Sequence, residues 1–217
     1  MSNKQKAIPE IIVNSTPQSF EAEQFRILRT SIALQTKKQK INSILITSPS
    51  AEEGKTTTAV NLAAVFAEEG KKVLLVDGDM RNPAIHKIFH KSNTHGLASV
   101  LMRQLSIKDA IQSSFIPGLK ILTSGPVPLN SVKLLGSGML ETFIATSTVE
   151  FDLLIFDSPP VLSYSDAQLL ADKCQYSVLV INTKETERNL AVKAKTLLDL
   201  TESKLLGAVL NKTIARH

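Results

Sequence analysis

The chain has no tryptophan, and aromatic residues make up only 5% of it. So few rings exclude a base-stacking surface of the kind that grips single-stranded nucleic acid. There is one cysteine, Cys174, so no internal disulfide can form and the context reads as reducing. No apolar run approaches the length needed to cross a bilayer, and the opening MSNKQKAIPE lacks the apolar centre of a signal peptide. These absences predict a cytoplasmic protein. Charge of one sign is also scarce: the net value is +5, with seven Lys/Arg against three acids in residues 1–40. That balance permits an anionic substrate or a membrane surface and does not imply nucleic acid. His86, His90 and His95 are too loosely spaced for a metal pattern, and no Ser-His-Asp set has a supporting context.

What is present is a globular composition, 43% hydrophobic and 21% charged over 217 residues, enough for one large domain. Residues 1–15 are polar and without period, which predicts a flexible arm; residues 16–217 read as a single domain. From Pro17 the spacing of Phe20, Phe25, Leu28, Ile32 and Leu34 predicts a helix over about 17–36. Beyond it, apolar runs predict strands near residues 44–46, 72–76, 119–122, 151–156, 177–181 and 205–210. Amphipathic stretches between them predict helices, among them 56–69, 96–103, 106–112, 165–172 and 186–200, with a broken one over 134–146. No strand shows clean polar alternation. The expected fold is α/β, a doubly wound, mostly parallel sheet with helices on both faces.

The stretch SILITSPSAEEGKTTTAVN, Ser43 to Asn61, joins a buried strand to a helix through a loop ending in Gly54-Lys55-Thr56. Strand, loop, G-K-[ST] and helix form the frame of a phosphate-binding loop. Unpaired N–H groups and the positive end of the helix dipole favour a polyphosphate there. Lys55 adds a point charge for the β- and γ-phosphates, and the Thr56 hydroxyl suits Mg²⁺. The candidate nucleotide contacts are Ser50, Glu52, Glu53, Gly54, Lys55, Thr56 and Thr57. The first glycine of the pattern is replaced by Pro49, and Glu52 stands two residues before Gly54.

Three aspartates, Asp77, Asp79 and Asp157, fall at the C-terminal ends of predicted strands, where an open parallel sheet binds its ligands. Taken singly, each reads as a cap of the following helix or turn. Converging on one crevice they would repel unless a cation sat among them, and Mg²⁺ carried by ATP or a relative is the natural one. Arg81 reads equally as a phosphate or subunit contact and as a surface salt bridge. Asn211 reads evenly as a base-edge contact and as a cap. Glu23, Arg26 and Arg29, three residues apart on the first helix, read from the residues alone as a solvated face with intrahelical pairs.

With these motifs in place the chain resembles the bacterial tyrosine kinases of capsule and exopolysaccharide export, P-loop proteins related to the MinD/ParA ATPases. The resemblance rests on ITSPSAEEGKTTT, on VLLVDGDMRNP (D-x-D-x-R-x-P), on LLIFDSPP (D-x-P-P) and on the E-x-x-R-x-x-R of Glu23, Arg26 and Arg29. It spans about Ser15 to Lys212. It implies an ATP- and Mg²⁺-dependent protein tyrosine kinase, with Lys55 on the phosphates. Thr56, Asp79 and Asp157 would hold Mg²⁺, Asp77 would take or orient the acceptor hydroxyl proton, and Arg81 would belong to the catalytic set. It implies self-assembly into a ring through Glu23, Arg26 and Arg29, and a membrane polysaccharide co-polymerase as activator that recruits the protein to the inner membrane face. Tyrosine-bearing protein substrates and a phosphotyrosine phosphatase complete the expected partners. The sequence departs from the family at Glu52 and at Leu129, Ser131 and Lys133. It also carries only Tyr164 and Tyr176 where relatives end in a tyrosine cluster. The shared sheet, loop and D-x-P-P strand keep an ATPase switch of MinD/ParA type open, and Glu52 with the missing tyrosine cluster keeps open a nucleotide-binding regulatory module.

Overall fold

The computed structural model describes residues 9–37 and 39–213. Two helices, α1 (Ile12–Ser15) and α2 (Phe20–Gln35), precede strand β1 (Ser43–Thr47), and α3 (Lys55–Glu68) leads into β2 (Val73–Asp77). Three short helices follow, α4 (Ile85–Ile88), α5 (Leu97–Leu101) and α6 (Ile107–Ala110), and then β3 (Gln112–Ser113) and β4 (Leu119–Leu122). Next come α7 (Ser131–Leu135), α8 (Met139–Glu150), β5 (Leu153–Asp157) and α9 (Ser165–Lys173). The chain closes with β6 (Tyr176–Asn182), α10 (Arg188–Leu198) and β7 (Lys204–Asn211).

The strands form one seven-stranded sheet in the order β3-β4-β2-β5-β1-β6-β7, parallel at every pairing except the β3–β4 edge. Strands β1, β2 and β5 are buried at all positions, as expected of apolar runs covered on both faces. Alternation sorts their side chains: Ile44 and Ile46 pack with Val60 and Phe66 of α3, while Leu45 and Leu74 pack with Leu140 and Phe143 of α8. The mostly parallel, doubly covered α/β sheet expected from the sequence is the fold observed.

Four details differ from expectation. Residues 1–8 of the expected flexible arm lie outside the described residues. The rest of it is packed: Ile11 and Val13 are buried, and the Val13 N–H donates to Asn61 Oδ1 at 3.1 Å. Helix α2 starts after Pro17, capped by Ser19, whose hydroxyl accepts the Ala22 N–H at 3.1 Å. Its inner side is Ala22, Phe25, Leu28 and Ile32, while Phe20 and Leu34 are exposed. The helix expected over 106–112 stops at Ala110, because Gln112 and Ser113 pair antiparallel with β4. The helix expected over 165–172 runs to Lys173, with Tyr164 at its N-cap and no side-chain bond there. The break in the 134–146 helix falls at Gly136–Gly138, where Gly138 takes φ +74.

Candidate active site

The phosphate loop turns between β1 and α3 with two residues in the left-handed region, Glu52 at φ 64 and Gly54 at φ 95. Gly54 is required there for a second reason: a Cβ on it would lie 2.1 Å from Asn211 Nδ2. The N–H groups of Gly54, Lys55 and Thr56 make no hydrogen bond to protein among the described residues, so they stand as the open donors of a helix N-terminus. The exposed Glu52 adds both a carboxylate near this end and a strained backbone position.

Register brings the carboxylates together. Asp77 and Asp157 are Cα partners at the ends of β2 and β5, beside the loop that follows β1. Asp157 Oδ2 accepts the Thr56 hydroxyl at 2.7 Å, while its Oδ1 is buried without a partner. Burial pushes its pKa up to about 6, opposed by Lys55 and by the Thr56 bond. Asp79 Oδ2 lies 3.8 Å from Lys55 Nζ, and its Oδ1 accepts the Asn82 N–H at 3.0 Å. Asp77 is deeper. Its Oδ2 accepts the Ala84 and Ile85 N–H groups at 3.1 and 3.0 Å, and its Oδ1 has no partner. Burial, and next the charge of Asp157, hold the Asp77 carboxyl well above its usual range. It therefore anchors the start of α4, the capping role that the sequence left open beside the proton acceptor.

These donors fit a hard divalent cation. The Thr56 hydroxyl, the Asp157 carboxylate with its orphaned Oδ1, and Asp79 supply oxygens only. No three His, Cys, Asp or Glu side chains among the described residues form a closed cage. So sparse a set suits Mg²⁺, which keeps waters and takes phosphate oxygens as its other ligands.

Other expected residues sit differently. Arg81 forks onto Asp166, Nε to Oδ1 at 3.2 Å and Nη2 to Oδ2 at 3.0 Å, and Nη2 also donates to Ser131 at 3.1 Å. Its guanidinium lies 4.6 Å over the Tyr164 ring. Arg81 is thus an internal clamp on the loop that carries Asp79; with Val127 to Ser131 it lines a cleft of about 130 Å³. A larger concavity of about 490 Å³, lined by Val100, Arg103, Met139 and Phe143, shares no residue with the aspartates. Glu53, expected to touch nucleotide, is buried behind the loop, and Asn211 faces the loop backbone, where its Nδ2 donates to the Glu53 carbonyl at 2.9 Å. Both are placed behind the cradle. Ser50 gives its N–H to Glu53, and Thr57 lies in the first turn of α3 with its carbonyl accepting from Asn61 Nδ2.

Glu23, Arg26 and Arg29 lie on α2, apart from the aspartates, and their pairs are within the chain. Arg26 pairs with Glu23 at 3.6 Å and Glu68 at 3.7 Å, and Arg29 with Glu69 at 2.7 Å. The two glutamates stand at the end of α3, where cations also answer the helix dipole. The sequence reading missed Asp166, Tyr164 and Ser131 around Arg81, and no spacing signal links them, since Arg81 and Asp166 are 85 residues apart.

A family model described as an AAA domain matches residues 42–192. Tyrosine-protein kinase YwqD of Bacillus subtilis (strain 168) is 44% identical over 208 residues, which cover 95% of this chain and 88% of that protein. The chimerical protein CapA2B2 aligns with a TM-score of 0.90 at 36% identity, covering 96% of this chain and 95% of that one. The kinase domain of Escherichia coli tyrosine kinase ETK gives 0.91 at 30%, covering 100% and 84%. More distant is the septum site-determining protein MinD of Pyrococcus horikoshii OT3, complexed with Mg-ADP. Its TM-score is 0.67 at 26% identity, covering 78% and 69%. With the sheet and the sequence likeness in agreement, the chain belongs to the bacterial tyrosine-protein kinases, a branch of the P-loop proteins that share the MinD fold.

Proposed function

We propose that the protein transfers the γ-phosphoryl group of ATP to tyrosines of protein substrates, and that it serves capsular or extracellular polysaccharide synthesis and export. The observation that carries the chemistry is the Thr56 hydroxyl on Asp157, 2.7 Å apart, at the helix start where Lys55 faces Asp79 at 3.8 Å. The open N–H groups of Gly54, Lys55 and Thr56 would cradle the β- and γ-phosphates, and Lys55 would neutralise charge on them. Thr56, Asp157 and Asp79 would hold Mg²⁺, which when bound bridges phosphate oxygens and offsets their negative charge. Arg81, fixed by Asp166, would hold the Asp79 loop in place rather than touch phosphate.

Further parts of the reading rest on likeness to relatives. They are a ring-like homo-oligomer formed through α2, a membrane co-polymerase-type activator, and a phosphatase that reverses the modification. The fusion named in CapA2B2 supports a partner of that kind. No helix among the described residues is long and apolar enough to cross a membrane, so recruitment to the inner membrane face would run through the partner.

A second reading, an ATPase switch, draws on the sheet and phosphate loop shared with the MinD fold. One incubation separates the two. Mg-ATP, the activator's cytoplasmic segment and candidate substrates should yield phosphotyrosine that disappears in Lys55→Met. Phosphate release without phosphotyrosine would establish the switch instead.

A further inference from the structure

A set of contacts ties the phosphate loop to the ends of β6 and β7. The Glu53 carboxylate is 2% exposed, and both oxygens are engaged by backbone: Oε1 accepts the Ser50 N–H at 2.7 Å and Oε2 the Asn182 N–H at 3.0 Å. Asn182 ends β6 and is itself held, with its Nδ2 on Glu185 at 2.7 Å and its carbonyl accepting the Thr186 N–H at 2.9 Å. Its register partner at the end of β7 is Asn211. From there the Asn211 amide donates to the Glu53 carbonyl at 2.9 Å, and Lys212 Nζ to the Glu52 carbonyl at 3.2 Å. The Thr183 N–H to Asn211 carbonyl bond, 3.1 Å, ties the two strand ends together.

We infer that Glu53, Asn211 and Lys212 form a brace that shapes the phosphate loop from behind, with Glu53 as a positioning residue for the nucleotide. The argument is one of donors and acceptors. A loop that offers its N–H groups forward must turn its carbonyls back, and buried carbonyls require donors. From the end of β7, Asn211 donates to the part-buried Glu53 carbonyl, and Lys212 adds a bond to the exposed Glu52 carbonyl. The Ser50 N–H is also held by the protein, and a carboxylate is the acceptor that takes it together with the Asn182 N–H. The Ser48 hydroxyl on the Ser50 carbonyl, 2.6 Å, completes the start of the loop. Here Pro49 stands where the phosphate-loop pattern has its first glycine, so side chains supply a fixation that glycine geometry supplies elsewhere.

This inference rests on the nucleotide-site reading above, and its test keeps the two apart. Binding of Mg-ADP by calorimetry should be readily measured for the wild-type chain. Glu53→Gln puts an NH₂ against one of two backbone donors. Asn211→Asp sets a carboxylate against the Glu53 carbonyl. Glu53→Gln should weaken Mg-ADP binding by about ten- to a hundredfold, the loss expected for charge-assisted bonds, and Asn211→Asp by about tenfold, the loss expected for a neutral one. Hydrogen exchange on the nucleotide-free variants should quicken at Ser50, Asn182 and neighbouring loop amides and stay unchanged in β2 and β5. Asn182→Ala, which keeps the backbone N–H that Glu53 uses, should bind within about threefold of wild type. Wild-type affinity in both variants, or faster exchange spread through the central strands, would overturn the brace. A wild-type chain that fails to bind Mg-ADP would overturn the nucleotide site, and the brace with it.

Discussion

Asp157→Asn should make the nucleotide-free protein more stable while disabling it. The carboxylate is buried with one oxygen unpartnered, and its pKa rises from 3.8 to about 6. At about 1.4 kcal/mol per pH unit, that rise costs the folded state about 3 kcal/mol well above pH 6. The sign is that of a carboxyl whose pKa is higher folded than unfolded. Its contribution improves as pH falls through about 6 and is lost as pH rises through the same value. Asparagine keeps an acceptor for the Thr56 hydroxyl and removes the charge. For a chain of this length about 3 kcal/mol corresponds to a rise of about 6–12 °C in melting temperature at pH 8. The gap should shrink to about half at pH 5 and to under about 1 kcal/mol at pH 4, where the folded carboxyl is protonated and only about half of the unfolded one is ionised. Calorimetric melts of both proteins at the three pH values test this. Equal melting at pH 8, or a gap that ignores pH, would refute the claim that Asp157 is held at a cost.

Three further outcomes follow from single contacts. Glu52→Gly relieves a non-glycine residue at φ 64, so it should raise stability by about 1 kcal/mol and tighten Mg-ADP binding, by denaturation and calorimetry. Gly54→Ala meets both φ 95 and the Asn211 amide at 2.1 Å, and should lose about 2–3 kcal/mol of stability together with measurable Mg-ADP affinity. Arg26→Ala with Arg29→Ala removes pairs to Glu68 and Glu69. It should cost the subunit no more than about 1–2 kcal/mol and shift the light-scattering mass to smaller particles; an unchanged mass would count against α2 as the assembly helix.

The parts legible in the sequence were those set by local pattern. Runs such as Val73 to Val76 read as strands because both faces are covered, so burial imposes no alternation. Gly54-Lys55-Thr56 and the strand-end aspartates were legible because a parallel sheet gathers its strand ends on one edge. What stayed hidden is held by long-range pairing. Glu53 meets Asn182 across 129 residues, and Arg81 meets Asp166 across 85. Neither pair has a spacing to read. A glutamate beside G-K-T reads as a ligand until its burial is known. Short elements were hidden for a related reason: β3 exists because β4 offers it an edge, and α1 because Ile11 and Val13 find the α3 face.

The pairing of Asp77 with Asp157 decides which carboxylate can do chemistry. Both are buried and adjacent in register, so they cannot both ionise cheaply. Lys55 and Thr56 favour the charge on Asp157, whereas Asp77 has only two backbone N–H groups to offset its burial. Ionisation is therefore harder at Asp77 than at Asp157, and the negative charge is favoured beside Lys55 and Thr56. Phosphoryl transfer through a loose transition state needs positioning and charge neutralisation more than early removal of the acceptor proton. An Asp77 that resists ionisation is thus compatible with the proposed kinase action, and its carboxyl holds the loop that runs into α4 through the Ala84 and Ile85 N–H groups. Asp77→Asn, whose amide oxygen can still accept the Ala84 and Ile85 N–H groups, should keep phosphotyrosine formation within about tenfold of wild type, with a flat pH profile above pH 6. Loss of a general base typically costs about a hundred- to ten-thousandfold. A loss of that size in Asp77→Asn, with nucleotide binding intact, would return the proton-acceptor role to this residue.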